Sequence, residues 1–410
     1  MALIVAIAAG MMTSRPLRAE FALVADKHES TFYGERARAI VRANAERYPW
    51  AKAEVNEAIK AAEPFVQMSD EDLWKLVLSP ELPRSIGVNR DLGCPKCGNA
   101  IYGAKGSNLY AFVAVVPGHP WKVQCPECRE LFPKNDFEAF YRSGIAPEDG
   151  LFHYARADRK LLCNADHPDP ADPLHTWCVD DGRGWIDTKK GPAALHAFVA
   201  TYVYRGAWRL PIPQLARAYA FTGQKRYAHK AAILLDRLAD VYPDLNGRNG
   251  QLLNFAPGEY WDGIVGPNYW EGGGWAGLAT AYDMIYDALP AMPETLAFIQ
   301  KQAKQYKVPS PKNTIDDVKR HIEQRLFIDR FGKRYTYQMN GTISEMCEAK
   351  VDFVLRGRKA IEQFATVHMP RIVPSKFLND DGSGNERSIG YDQGAFRAVS
   401  YTHLTLPTIY

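Results

Sequence analysis

The sequence is first informative for what it does not contain. After the opening dozen residues, no apolar run reaches the ~18 residues that a membrane-spanning helix needs, so no membrane span is expected. Neither charge sign dominates: 50 Lys and Arg face 47 Asp and Glu, a formal net charge of +3. So small an excess makes no case for nucleic acid and only weakly favours an anionic ligand. Between Gly191 and Pro370 there is no clear series of alternating strands, and no unit of fixed length repeats as a regular solenoid would require.

What remains is a chain of 410 residues, 46% hydrophobic and 24% charged, which can bury a large core. We expect an all-α fold, a large helical body carrying a small insert. Aromatics make up 12% of the chain, with nine Trp and 21 Tyr. They suit core packing, and flat rings are also what sugars stack upon. Met1 to Met12 is apolar apart from Gly10, the length of a signal-peptide core and too short to cross a bilayer. It has no basic residue ahead of it, and Ser14 to Glu20 offers no clean small-x-small cleavage site. Export remains the reading, with residues 1–30 as leader and a periplasmic or secreted location. An ordinary helix or a mis-chosen start codon is the alternative.

Residues 31–90 read as N-terminal helices. Ala37, Ile40, Val41 and Ala45 recur at helical steps, and Trp50, Val55, Ile59 and Ala62 follow after a break at Tyr48-Pro49. Ser69, with Asp72 three residues on, predicts a capped short helix carrying Leu73, Trp74 and Val77.

The segment 91–145 differs in kind. Cys94-Pro95-Lys96-Cys97 and Cys125-Pro126-Glu127-Cys128 are two Cys-x-x-Cys knuckles with 27 residues between them. Four thiolates at that spacing can close a tetrahedron around Zn²⁺. Two disulfides within the knuckles would be strained and staple nothing distant. A closed Cys₄ set leaves no open position for water, and no dense basic flank is present, so the expectation is a structural zinc-ribbon-like insert. Cys163 and Cys178, near Asp166, His167 and His175, are spaced too loosely for a second metal site or a disulfide, and read as ordinary loop residues.

From residue 146 to 398 the pattern is of paired helices. Leu195, Phe198, Tyr202, Trp208, Leu215, Ala218 and Tyr219 lead into the turn Thr222-Gly223-Gln224, after which Tyr227, Ala231, Leu234, Leu235, Leu238 and Val241 resume the period. So short a turn makes the pair antiparallel. Further helices are expected after Gly272-Gly273-Gly274, with Trp275, Leu278, Ala279, Tyr282, Ile285 and Tyr286, and over Asp316 to Arg330. Hairpins in series extend or close into a ring, and closure into an α/α toroid is favoured. Asn254 to Trp261 and Pro267 to Trp275 read as aromatic, glycine-rich loops, making Tyr269, Trp270 and Glu271 candidate sugar contacts; helix-cap packing is the other reading.

The stretch Asn340 to Tyr391 carries the candidate chemistry. Ile343, Cys347, Val351, Val354, Ile361, Ala365 and His368 mark one long helix beginning just after Asn340 and stopped by Pro370 and Pro374. Asp381-Gly382-Ser383-Gly384 then turns the chain, so that a loop bearing Glu386, Arg387 and Tyr391 can fold back beside Asn340.

With these residues in view, the chain from about Arg36 to Phe396 resembles the heparinase II/III-like polysaccharide lyases. The likeness rests on the helical pairs, the hairpin start Leu210-Pro211-Ile212-Pro213-Gln214-Leu215-Ala216-Arg217-Ala218-Tyr219, Asn340 at a helix start, and Asp381-Gly382 followed by Glu386, Ser388 and Tyr391. It implies an α/α toroid followed by antiparallel β-sheet domains, and β-elimination on an anionic, uronic-acid-containing polysaccharide. Asn340 matches the family's carboxylate-neutralising Asn and Tyr391 its catalytic Tyr. Several members carry His directly after that Asn where this chain has Gly341, which leaves the base open. The family's C-terminal β-sandwich part, which often supplies a further catalytic His, has no counterpart, so the toroid is expected to be incomplete. Residues 399–410 look like sequencing-adapter read-through, and the natural protein is expected to be longer.

Elimination needs a group that relieves the uronate charge, a base for the C5 proton and an acid for the leaving O4. The Asn340 amide can bind the carboxylate and strengthen its hydrogen bond as charge builds. Tyr391 can protonate O4; as a base it needs its pKa of ~10 lowered, and Arg387 is the neighbour that could do so. Glu386 orients the substrate or binds a sugar hydroxyl. A glycoside hydrolase would instead need two carboxylates, with Glu271, Asp262, Asp283 and Glu386 as candidates. A non-catalytic glycan-binding protein stabilised by zinc is the third reading.

Overall fold

The computed structural model describes residues 25–83, 92–103, 112–113, 116, 118–192, 194–204, 209–245, 269–329 and 341–368. Within these, the side chains of 204, 269–272, 341–346 and 368 are outside the described set. The described chain is mostly helical, with two short two-stranded sheets. This agrees with the all-α expectation.

Helices α1 (Glu35–Arg47) and α2 (Pro49–Val66) are separated by one extended residue, Tyr48 (φ −122°, ψ 127°). Pro49 causes the break: it disfavours helix for the residue before it and suits a helix's first turn. Helix α3 (Asp70–Trp74) is capped as its sequence predicts, Ser69 Oγ accepting from the Asp72 N–H at 3.0 Å. Val77 lies beyond the helix end and is buried. Helix α4 (Phe137–Ser143) is likewise capped, by Asp136.

Four short strands of two residues each precede the main hairpins. Strand β1 (Val123–Gln124) pairs antiparallel with β2 (Leu131–Phe132), and β3 (Trp185–Ile186) with β4 (Leu195–His196). Leu195 is therefore in a strand and not in the helix its spacing suggested; α5 runs Phe198–Tyr204. Its partner strand, nine residues upstream, supplies hydrogen bonds that local periodicity does not reveal.

The antiparallel pair α6 (Pro211–Thr222) and α7 (Lys225–Val241) turns at Gly223, whose φ of 71° is the left-handed conformation that ends helices. Helices α2, α3, α6, α8 (Tyr269–Ile285), α9 (Pro293–Gln305) and α10 (Ile315–Ile322) all pack on α7. Its apolar positions Tyr227, Ala231, Leu234, Leu235 and Leu238 are wholly buried. So enclosed a helix must also bury polar residues, and each has a partner: Lys230 pairs with Asp70, Asp236 with Lys312, and Arg237 with Asp240 while lying over the Trp74 ring.

Three expectations are corrected in this body. Helix α8 starts at Tyr269 and runs through Gly272-Gly273-Gly274, where a loop had been expected. A Cβ on Gly274 would lie 1.8 Å from Arg209 Nη1, so the glycine that weakens the helical signal is what lets the arginine approach. Helix α11 (Gly341–Gln363) is not one rod: Gly357 (φ 60°, ψ −143°) interrupts it, and a π-helical turn, Phe364–His368, completes it. Ile40 and Trp50 keep the helical period but face solvent, at 52% and 65% exposure, while Arg38 is buried. Arg38 reaches the Tyr33 carbonyl, Glu35 and Asp287, which satisfies its charge inside.

The α10 stretch holds as a helix, opening on a capping box between Thr314 and Asp317 and changing to a π-helix over Glu323–Ile328. Tyr282, on α8, donates its hydroxyl to the buried Glu323 at 2.7 Å. An N-terminal segment straps these helices together. Asp283 Oδ1 accepts from Lys27 Nζ (2.5 Å) and the Thr31 N–H (2.7 Å), and Oδ2 from Ser30 Oγ (3.0 Å) and the Phe32 N–H (2.9 Å). Lys27 also donates to the Val354 carbonyl of α11.

Candidate metal centre

Each knuckle is closed by a backbone hydrogen-bonded turn. In the first, the Cys94 N–H donates to the Gly98 carbonyl (2.9 Å) and the Gly98 N–H to the Cys94 carbonyl (2.8 Å). In the second, the Arg129 N–H donates to the Cys125 carbonyl (3.0 Å) and the Cys125 N–H to the Glu130 carbonyl (2.9 Å). Each turn aims both sulfurs of its Cys-x-x-Cys the same way. The strands β1 and β2 flank the second knuckle and hold it, and Gly93, at φ 64°, brings the first close: a Cβ there would meet the Gly98 carbonyl carbon at 2.6 Å.

The knuckles meet face to face. Cys94 Sγ is 3.7 Å from Cys128 Sγ, Cys97 Sγ is 3.7 Å from Cys125 Sγ, and all four sulfurs lie within 4.8 Å of one another. Four sulfurs held ~2.3 Å from a central ion in a tetrahedron stand roughly 3.8 Å apart, so the donor set fits a tetrahedral thiolate site. None of the seven cysteines is in a disulfide, and disulfides within the knuckles are not formed.

The electrostatics also ask for a cation. Burial pushes the Cys94 thiol far up, and burial with the neighbouring sulfurs puts Cys97 at about 11. Cys128 goes the other way: burial would raise it, but the Glu130 N–H and the adjacent thiols hold it low. Four thiolates this close repel one another unless a positive ion sits between them, and metal binding deprotonates them outright. Outside the sulfurs, Glu130 bridges the knuckles by pairing with Lys96 of the first and with Lys134. Hydrogen bonds from Lys134 and Lys96 keep its carboxyl below the usual range.

A small core surrounds the cluster: Ile101, Val123, Phe132, Cys178 and Phe198 pack with Cys94 and Cys125, apart from the main core of the helical body. Cys178 is wholly buried and is an apolar core residue. His167 Nδ1 bonds Asp172 (2.8 Å) and His175 Nδ1 donates to the His167 carbonyl (3.0 Å), so these two rings serve their own loop. Among the described residues, only the four knuckle cysteines form a group that could hold a metal ion.

Sequence reasoning missed the residue that fastens this unit to the helices. Asp180 Oδ1 accepts from the Gly182 (2.7 Å) and Gly184 (2.8 Å) N–H groups, and Oδ2 from the Val199 N–H (3.0 Å) in the first turn of α5. Asn135 bonds both backbone groups of Asp180. Burial raises the Asp180 carboxyl to about 6 against these three donors. The local signal was Asp180-Asp181-Gly182-Arg183-Gly184, an acidic residue ahead of two glycines that free their N–H groups to turn back upon it.

The other candidate residues are placed as follows. Asn340, Glu386, Arg387, Tyr391 and Asp262 lie outside the described residues. Tyr269, Trp270 and Glu271 form the first turn of α8, with side chains outside the described set. Asp283, weighed as a hydrolase carboxylate, is fully buried with both oxygens occupied by the strap. The chain matches no protein-family model, no curated protein and no solved structure.

Proposed function

We propose that this chain is the helical body of a polysaccharide lyase that cleaves uronic-acid polymers by β-elimination, its hairpins closing as an α/α toroid. The observation that supports the reading is the antiparallel hairpin α6–α7, with α2, α3, α8, α9 and α10 packed on α7, a paired-helix body of the kind the resemblance implies. In the reaction the Asn340 amide donates to the uronate carboxylate as charge builds, a deprotonated Tyr391 takes the C5 proton, the C4–O4 bond breaks and Tyr391 returns that proton to O4. The saturated, buried state of Asp283 removes one carboxylate from the hydrolase alternative. The Cys₄ cluster holds Zn²⁺ as a closed structural site and takes no part in turnover. Incubating the protein with a panel of uronate polymers tests the reading. Absorbance near 235 nm should rise, because elimination leaves a double bond conjugated with the carboxylate; new reducing ends without that absorbance mean hydrolysis.

A further inference from the structure

The corner between α1 and α2 presents an unusual surface. Trp50 is 65% exposed and Tyr48 36%, and their rings stack with centroids 6.1 Å apart and planes 20° from parallel. Large rings are ordinarily drawn inward, since burying one is worth far more than leaving it wet. Along α1, Arg36, Ile40, Ala43 and Arg47 succeed one another by four, three and four residues, which is one stripe of a helix, and all four are exposed. The Arg47 guanidinium stands 5.1 Å from the Tyr48 ring centroid, so cation and platform are contiguous. Lys52, in the first turn of α2, is exposed as well. Among the described residues, Arg36, Arg47 and Lys52 make no ion pair, whereas Arg42 and Arg38 are taken up by Glu35, and Arg217 by Glu54. The one acidic residue between them, Glu46, leaves the stripe net positive.

We propose that this corner is a docking surface for an acidic polysaccharide, with the stacked Trp50 and Tyr48 as the platform for a sugar ring and Arg36, Arg47 and Lys52 as partners for its carboxylates. The occupant follows from complementarity: flat apolar rings match sugar faces, and free cations beside them match uronate charge. The identity of the polymer as a uronate rests on the function proposed above.

The test uses the full chain with polygalacturonate, neutral dextran and dextran sulfate, following intrinsic tryptophan fluorescence at several salt concentrations and absorbance at 235 nm in the same samples. Polygalacturonate should bind and dextran should not. Trp50→Ala should weaken polygalacturonate binding roughly tenfold, the equivalent of one good stacking contact. The double variant Arg36→Ala/Arg47→Ala should weaken it similarly and flatten its salt dependence. Both changes are at the surface, and an unchanged melting temperature verifies folding. The proposal is overturned if Trp50→Ala binds polygalacturonate as the parent does, or if dextran sulfate binds equally well to parent and Trp50→Ala, which is simple ion exchange. It is also overturned if Trp50→Ala changes the oligomeric state by light scattering and leaves polymer binding intact, since the corner would then contact a second copy. Binding without absorbance at 235 nm would retire the lyase reading and leave this surface standing; absorbance with binding indifferent to Trp50 would do the reverse.

Discussion

Gly98 and Arg129 both have a positive φ, 62° in each, one residue past the second cysteine of their knuckles, and Gly98, at ψ −139°, lies in a region that favours glycine. A Cβ on Gly98 would meet no atom within 4 Å, so Gly98→Ala is charged only for its backbone. That cost is ~1–3 kcal/mol. Arg129 carries a positive φ on a non-glycine residue, and Arg129→Gly should be neutral or stabilising by up to about 1 kcal/mol. Chemical unfolding of the metal-loaded protein measures both; a destabilised Arg129→Gly would show that the arginine side chain contributes more than its backbone costs.

The proposed zinc can be removed. One Zn²⁺ per chain is expected by elemental analysis of protein purified without chelator. Chelation should loosen the small core around Cys94, Cys125 and Phe132 and expose it to proteolysis, while the helical signal of the separate main core persists. Cys125→Ser should behave like chelated protein. Metal-free protein with an equally protected insert would contradict the structural role.

The pair Lys27 and Asp283 should be the most sensitive point of the helical body. Their side chains are 1% and 0% exposed. Asp283→Ala strands a buried ammonium and should cost about 3–5 kcal/mol. Replacing both, as Lys27→Met with Asp283→Leu, should cost less than Asp283→Ala alone, because no unpaired charge remains. Equilibrium unfolding of the three variants decides this.

His196 should make the junction between insert and helices sensitive to acid. It is 4% exposed, its Nε2 has no hydrogen-bond partner, and its ring stacks on Phe198. Burial, then the charge of Lys190, lowers it to about 4, with Asp187 opposing. A histidine depressed on folding contributes stability that is full above its unfolded pKa of ~6.5 and lost as pH falls through the folded value, at ~1.4 kcal/mol per unit. Asp180 acts with the opposite sign, its raised carboxyl adding stability as pH falls below about 6. The comparison with His196→Phe isolates the histidine: the variant should gain on the parent by about 3 kcal/mol between pH 6.5 and 4. Parallel pH profiles for the two proteins would rule the histidine out.

For the proposed chemistry, Tyr391→Phe removes the proton carrier and keeps the ring. It should lower kcat by roughly two to four orders of magnitude with KM little changed. Asn340→Ala should cost a smaller factor through lost carboxylate stabilisation. Turnover of Tyr391→Phe at the parent rate would end the assignment.

What the sequence by itself determined is what depends on neighbours in the chain. The knuckle spacing foretold the sulfur cluster, Ser69 and Asp72 the cap of α3, Pro49 the corner, Gly223 the turn, and the period of α7 its buried face. Tertiary structure decided the rest, because the deciding partner lay far off in sequence. Lys27 and Asp283 are 256 residues apart, and nothing near either marks them as a pair. Gly274 sits inside a helix because Arg209 crosses it, Leu195 is a strand because Trp185 and Ile186 run beside it, and Gly357 breaks a helix whose apolar period continues past it. Periodicity likewise marked Ile40 and Trp50 as apolar positions of their helices, but only packing set which face turned inward, and Arg38 was buried in their stead because carboxylates and a carbonyl awaited it there.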